Sequence, residues 1–305
     1  MYGASSTVGS ALIRQMLPDH EAGRLTLVAA TRKPEVAKTL QALGVETRNV
    51  DLDRAEMEGL TPIIDAMHGA HRVFLLSGYE VKMLSQSKAA IDAATAVGAT
   101  HMVHIGANAR PNTTTTYSGW HQMIEAYIER SGLTYTHIHP NSFMQNLPMF
   151  LAMGRGGPGV IEYFTGSAPI GWSDAEDVAA VAAAALRDPE QHAGQTYSLS
   201  SDVATMDDVA ALIGEATNSP WRYQALEPEV FFERITGMGA DAYYMAGVRN
   251  GFIRTIDGAL PELSEVYDNI RALTSREPST LRNYINRNRG AFTAFSVQAG
   301  QVGTA

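Results

Sequence analysis

The 305-residue chain has no cysteine, which excludes disulfides, thiolate chemistry and Cys-based metal sites together. No stretch approaches 18 uninterrupted apolar residues, so no membrane span is expected. The most apolar helix-like run, residues 178–186, is short and Ala-rich and reads as a buried helix. No basic start followed by an apolar segment opens the chain, so no signal peptide is expected and the cytoplasm is the default location. Basic charge is also scarce: 23 Lys+Arg face 32 Asp+Glu, a net charge of −9. No broad positive field is available for a phosphate backbone, which argues against nucleic acid as a partner. With 45 % hydrophobic and 18 % charged residues, the composition suits one large α/β domain with a smaller lobe.

The first half alternates apolar, β-rich runs with helix-period segments. Residues 25–30, 45–50, 72–76, 102–105 and 134–139 read as strands. The first lacks polar alternation, as a parallel strand covered on both faces should. Between them, Val8, Ala11, Leu12 and Met16 mark one helix, Leu84, Ile91, Ala94 and Val97 a second, and Ile124, Tyr127 and Ile128 a third. Gly98 and Gly132 end the last two. This repetition predicts a doubly wound parallel sheet of the Rossmann type, with right-handed crossovers, over residues 1–150. Residues 151–305 predict a smaller, mostly helical lobe on the sheet's carboxyl edge, with helical patterns at 206–215, 227–235 and 261–273. One further strand is expected at 196–199.

Residues 3–9, GASSTVG, precede the first helix. A dinucleotide site needs a tight strand-to-helix turn whose amides and helix dipole meet the pyrophosphate. Gly3 would make the turn and Gly9 would let the helix lie against the strand, with Ser5, Ser6, Thr7 and Val8 supplying amides. The middle glycine position is Ser6, small enough to fit and able to donate to a phosphate oxygen. Only Met1 and Tyr2 precede Gly3, where a central strand of about five residues is expected. Either the first residues are missing or the first strand is a stub. After the second strand, Arg32 and Lys33 stand where an acidic residue would hold the ribose of NAD, so NADP(H) is favoured over NAD(H). Asp51 and Leu52 could contact adenine. Ser77 and Gly78, beyond the next strand, would lie along the cofactor.

These residues are familiar. The small-residue turn, TRKP at 31–34, VDLD at 50–53 and VFLL at 73–76 resemble the NmrA-like, atypical short-chain dehydrogenase/reductase group. So do the stretch 121–135, HPNSFMQN at 139–146, and APIGWSDAED at 168–177 leading into an Ala-rich helix. The resemblance spans about residues 1–220. It implies a Rossmann-type domain, a small carboxy-terminal substrate lobe and NADP(H) as the usual ligand. The group includes reductases of quinones, dyes and plant phenolics, and NADP-sensing regulators without catalysis.

In short-chain dehydrogenases a Tyr passes the proton while a Lys four residues on lowers its pKa and holds the ribose. The segment resembling it here is Tyr117 to His121, with His in the Lys position. Either Tyr117 donates a proton and His121 anchors it, or His121 is the acid, or the substrate accepts hydride as an electrophile and needs no protein acid. Asn108, Asn141 and Phe143, at the carboxyl ends of two strands, are expected beside the cofactor. Asn108, Ser142, Phe143 and Asn146 are expected around the substrate. His101, His104, His137 and His139 fall on neighbouring strands, but no carboxylate accompanies them at ligand spacing, so no metal is expected. Asp174, Glu176 and Asp177 read as helix N-terminal charges.

The sequence therefore favours an NADP(H)-dependent oxidoreductase acting on a small aromatic or conjugated carbonyl, quinone or imine-like substrate, as a monomer or homodimer. A non-catalytic NADP(H)-sensing regulator and a non-redox enzyme on the same scaffold are the alternatives.

Overall fold

A parallel sheet organises the chain, as its alternating pattern predicts. The computed structural model describes residues 1–297; the last eight positions of the expected lobe, 298–305, lie outside the described residues. The elements run α1 (Thr7–Glu21), β1 (Val28–Ala30), α2 (Pro34–Gln41), β2 (Glu46–Arg48), α3 (Ala55–Glu58), α4 (Thr61–Met67), β3 (Arg72–Leu76), α5 (Met83–Ala96), β4 (His101–Ile105), α6 (Thr116–Arg130) and β5 (Thr134–Pro140). β3, β4, β5 and a later strand, β9 (Gln195–Leu199), form one parallel sheet in that order. β1 pairs with β2, also parallel.

Met1 and Tyr2 join the two parts. The Tyr2 amide donates to the Phe74 carbonyl at 2.9 Å, and the Ala30 amide donates to the Met1 carbonyl at 2.9 Å. The central position of the sheet is thus held by a two-residue stub, bonded on both sides.

Helices cover both faces. On one, α1 packs against α8 (Ala175–Arg187) over Val103, Ile105 and Ile138. Six buried alanines on α8 let the helix sit close to the strands. On the other, α4, α5 and α6 cover Val73, Leu75 and Met102. Each large aliphatic side chain buried this way stabilises the fold by roughly 1.5–3 kcal/mol.

Beyond β5 short strands and helices alternate, and β9 returns to the main sheet. β6 (Ser142–Phe143), α7 (Asn146–Met153), β7 (Val160–Tyr163) and β8 (Ile170–Ser173) precede α8, and α9 (Pro189–His192) precedes β9. Then follow β10 (Asp202–Ala204), α10 (Met206–Thr217), β11 (Arg222–Ala225), α11 (Pro228–Gly237) and α12 (Ala242–Ile256). α13 (Asn269–Thr274), α14 (Leu281–Arg287) and α15 (Arg289–Thr293) close the described chain. β8 pairs with β6 and β10, and β7 with β11, so two small sheets interrupt the helices. The pattern at 261–273 is a 3-10 turn (Pro261–Ser264) and α13 rather than one helix. Between them the Tyr267 amide is drawn to the Ser200 carbonyl at 3.0 Å. Asp174 caps α8 as expected, its carboxylate accepting from the Glu176 amide.

Candidate active site

A cleft of about 410 Å³ opens at the carboxyl ends of β1 and β3. Gly3, Ser5, Ser6, Arg32, Lys33, Asp51, Leu52, Ser77 and Gly78 line it, nine residues that the sequence placed around a nucleotide. Thr7, Val8 and Gly9 form the first turn of α1 directly behind the turn residues. Thr7 and Val8 are the first helical positions, whose amides have no carbonyl a turn earlier to bond, so the cleft meets a helix N-terminus.

The turn is built around absent side chains. Gly3 sits at φ +83°, a left-handed conformation, with the Leu76 side chain where its Cβ would be. A Cβ on Gly9 would lie 2.1 Å from the Gly3 carbonyl oxygen. Ser6 corrects the sequence expectation. Its hydroxyl donates to the Gly3 carbonyl at 2.7 Å and accepts from the Gly9 amide at 2.9 Å. As the N-cap of α1 its proton is already committed, so it shapes the turn rather than donating to a phosphate.

Charge in the cleft is balanced. Arg32 reaches Asp51 at 3.2 Å and Asp53 at 3.1 Å. Its hydrogen bond to Asp53 raises its pKa, so the guanidinium stays charged. Lys33 is exposed and makes no ion pair among the described residues. Three lining residues escaped the sequence reading: Tyr79, Glu80 and Gln86. Gln86 donates to Asp53 at 2.6 Å and to Glu80 at 2.9 Å, holding the acidic wall in place. No local motif marks these three; only the approach of α5 to the residues after β2 brings them in.

The expected chemical pair stands apart from this lining. Tyr117 and His121 share a face of α6, as their spacing requires, but no hydrogen bond joins them among the described residues. α12, absent from the sequence reading, packs on the start of α6. Its Gly247 and Gly251 leave room for Thr116 and Tyr117, and the Tyr117 hydroxyl would lie 3.3 Å from a Cβ on Gly251. Two glycines four apart in a weakly patterned segment carry little helical signature, which hid this helix. His121 is buried with its ring 5.5 Å from His104. Burial and the nearby His139 push its pKa down to about 3, so it is neutral at pH 7. It therefore cannot provide the fixed positive charge that lowers a tyrosine pKa, and burial raises that of Tyr117. Of the three arrangements open to Tyr117 and His121, a protonated His121 acting as the acid at neutral pH is the one this burial disfavours.

Asn108 and Asn141 hydrogen-bond to each other and to the lobe. The Asn108 amide nitrogen donates to Asn141 Oδ1 at 3.0 Å, the Glu262 carbonyl at 3.0 Å and the Tyr267 hydroxyl at 3.1 Å. Its oxygen accepts from Ser198 at 3.0 Å. The Asn141 amide nitrogen donates to the same Glu262 carbonyl at 3.3 Å, so both buried asparagines tie the strand ends to the lobe. Ser142 and Phe143 lie half-buried in β6, paired with β8, and Asn146 opens α7, half-buried.

The four strand histidines divide. His101 faces α8 and α9, its ring bonded to Thr134 and Thr136. His104, His137 and His139 face α6, which brings Glu125 against them. His139 Nε2 lies 2.7 Å from Glu125 Oε1, and His104 Nδ1 lies 3.8 Å from it. The carboxylate missing at ligand spacing along the sequence is supplied across the fold.

The chain matches the NmrA-like family over residues 1–285. It is 29 % identical over 295 residues to an NAD(P)H azoreductase from Xenophilus azovorans, covering 96 % of this chain and 98 % of that one. The fold is similar to that of Citrobacter sp. triphenylmethane reductase, solved with NADP(H), with a TM-score of 0.77 and 20 % identity over 94 % of this chain and 98 % of that one. It is also similar to NmrA, a negative transcriptional regulator solved with NAD, with a TM-score of 0.71 and 18 % identity over 96 % and 94 %.

Proposed function

The chain belongs to the NmrA-like family, and from that premise we propose that it is an NADP(H)-dependent oxidoreductase reducing a small conjugated quinone, azo, imine or carbonyl compound. The carrying observation is the Gly3–Gly9 approach beneath a cleft at the N-terminus of α1, a cradle that a Cβ would fill. The residues present fit a dinucleotide: first-turn amides for the pyrophosphate, Asp51 and Leu52 for the adenosine end, Lys33 and Arg32 for a 2′-phosphate. Reduced nicotinamide, when bound, supplies a hydride. What the chain contributes is orientation and exclusion of water at the edge between sheet and lobe. With no lowered tyrosine pKa, a substrate that is itself a good hydride acceptor fits best, its proton coming from water.

The name of the azoreductase relative supports this reading. A second reading, a nucleotide-sensing regulator, is favoured by one observation: Tyr117 and His121 do not form an activated pair. Fluorescence titration with NADPH and NADH, then NADPH consumption against azo dyes, quinones and triphenylmethane dyes, separates the two. Turnover supports the reductase, binding without turnover supports the regulator, and no binding sinks both.

Two variants refine the test. Arg32→Ala with Lys33→Ala is expected to weaken NADPH by about tenfold or more, the loss of one or two charge-assisted hydrogen bonds, and NADH by less than about threefold. Equal losses for both nucleotides would refute the phosphate role. Tyr117→Phe is expected to keep turnover within about threefold, since a phenol of raised pKa is a poor acid. A loss of about 100-fold would restore Tyr117 as the proton donor.

A further inference from the structure

The strongest unused chemistry in the molecule lies under the sheet, away from the nucleotide cleft. His104 on β4, His137 beside it on β5, and Glu125 on α6 each present a ligand-type atom, and these atoms lie within 4.8 Å of one another. All three residues are buried. Both ring nitrogens of His104 and both of His137 are buried without a hydrogen-bond partner, as is His121 Nδ1 nearby. Leaving one buried polar atom unpaired costs about 1–3 kcal/mol, so so many converging on one spot require an explanation.

The surroundings are arranged around Glu125. A Cβ on Gly106, just past β4, would lie 2.3 Å from Glu125 Oε1, so only glycine lets the carboxylate reach the strands. His139 Nε2, 2.7 Å from the same oxygen, fixes its direction. Tyr135 stacks on the His137 ring at 4.6 Å and orients it. Glu129 stands at the rim, half-exposed, 3.7 Å from His137 Nε2.

We propose that His104, His137 and Glu125 form a binding site for a divalent cation of the zinc class, fastening α6 to the strands β4 and β5. Two imidazoles and one carboxylate suit Zn²⁺ in a tetrahedral arrangement whose fourth position falls to water. Ligands bound at roughly 2.0–2.2 Å stand a little over 3 Å apart, so the 3.8 Å between His104 and Glu125 closes with small side-chain rotations. His139 then serves as the outer partner of a ligating carboxylate. The inference does not depend on the nucleotide reading.

The test uses the full chain stripped with chelator and titrated with Co²⁺, then Zn²⁺. One Co²⁺ per chain is expected, with the intense visible absorption of a tetrahedral site, displaced by Zn²⁺. Glu125→Gln and His137→Gln should each weaken binding by about 10–100-fold or more, whereas His101→Gln, on the opposite face of the sheet, should leave it unchanged. Circular dichroism verifies that each variant is folded. Should neither ligand variant fold, X-ray absorption on the Zn²⁺-loaded wild-type chain decides: two imidazoles in the shell support the site, and an all-oxygen shell overturns it. Failure of the wild-type chain to bind either ion stoichiometrically, or undiminished binding in the folded ligand variants, also overturns it.

Discussion

Replacing Gly9 by valine is expected to abolish measurable NADPH binding and to destabilise the fold by about 3 kcal/mol, the upper range for overpacking. The cause is a collision with backbone, which cannot swing aside as a side chain can. Any Cβ at position 9 arrives 2.1 Å from the Gly3 carbonyl oxygen and 2.8 Å from its carbon. Relief requires α1 to lift from the turn, and that breaks the Ser6 cap, because its hydroxyl is bonded at once to Gly3 and Gly9. The amides meant for a pyrophosphate then lose their alignment. Gly119→Ala is the control: a Cβ there meets nothing within 4 Å, and replacing a helical glycine should add about 0.5–1 kcal/mol. Denaturant unfolding and nucleotide titration of both variants measure the contrast. A Gly9→Val chain that binds NADPH normally would show that the turn is not the nucleotide site.

Arg234→Met is expected to destabilise the lobe by about 3 kcal/mol at neutral pH, the low end for breaking a buried ion pair. Glu162 on β7 is 4 % exposed, Arg234 on α11 is 14 % exposed, and they meet at 2.5 Å. The Arg155 amide donates to the same carboxylate oxygen at 3.0 Å. Burial pushes the Glu162 carboxyl up, but the Arg155 amide and the Arg234 guanidinium outweigh it and hold it below the usual carboxylate range. In the wild-type chain this stabilisation is present above the ordinary glutamate pKa and fades as pH falls through the lowered value. Without Arg234 only Arg155 opposes burial, so the Glu162 carboxyl rises and the folded variant takes up a proton more readily than the folded wild-type chain. The stability gap between variant and wild type should therefore narrow as pH falls from 7 towards about 4. Adding Glu162→Gln should restore most of the loss at neutral pH. A gap that stays constant with pH would mean that lost packing, not a stranded charge, is responsible.

Much of the fold was legible because parallel strands covered on both faces leave a continuous apolar signature. Residues 72–76 were read to the residue, and β5 to within one position. The residues that line the cleft at the start of α1 were legible for a related reason, since a glycine-bounded turn before a helix is a local feature and the other lining residues follow the next strands. α12 was not legible. Its Gly247 and Gly251 mean helix only beside the Thr116 and Tyr117 side chains they accommodate. The 3-10 turn at Pro261–Ser264 lay hidden inside an apparent helix because Ser200, which draws the Tyr267 amide away, lies 67 residues earlier in the chain.

The sequence by itself determined the doubly wound sheet, the glycine turn and the face shared by Tyr117 and His121, because each depends on the regular repeat of one strand or helix. Which element that face would meet was decided only in three dimensions. Packing of α6 on β4 and β5 turned His121 towards His104, brought Glu125 to three histidines and made a ligand set from residues that show no ligand spacing along the chain. Closure of the lobe used the Asn108 and Asn141 amides in the same way. The physical reason is common to both: a buried polar group takes its partner from whatever the fold brings within about 3 Å, and neighbours in space carry no signature in sequence order.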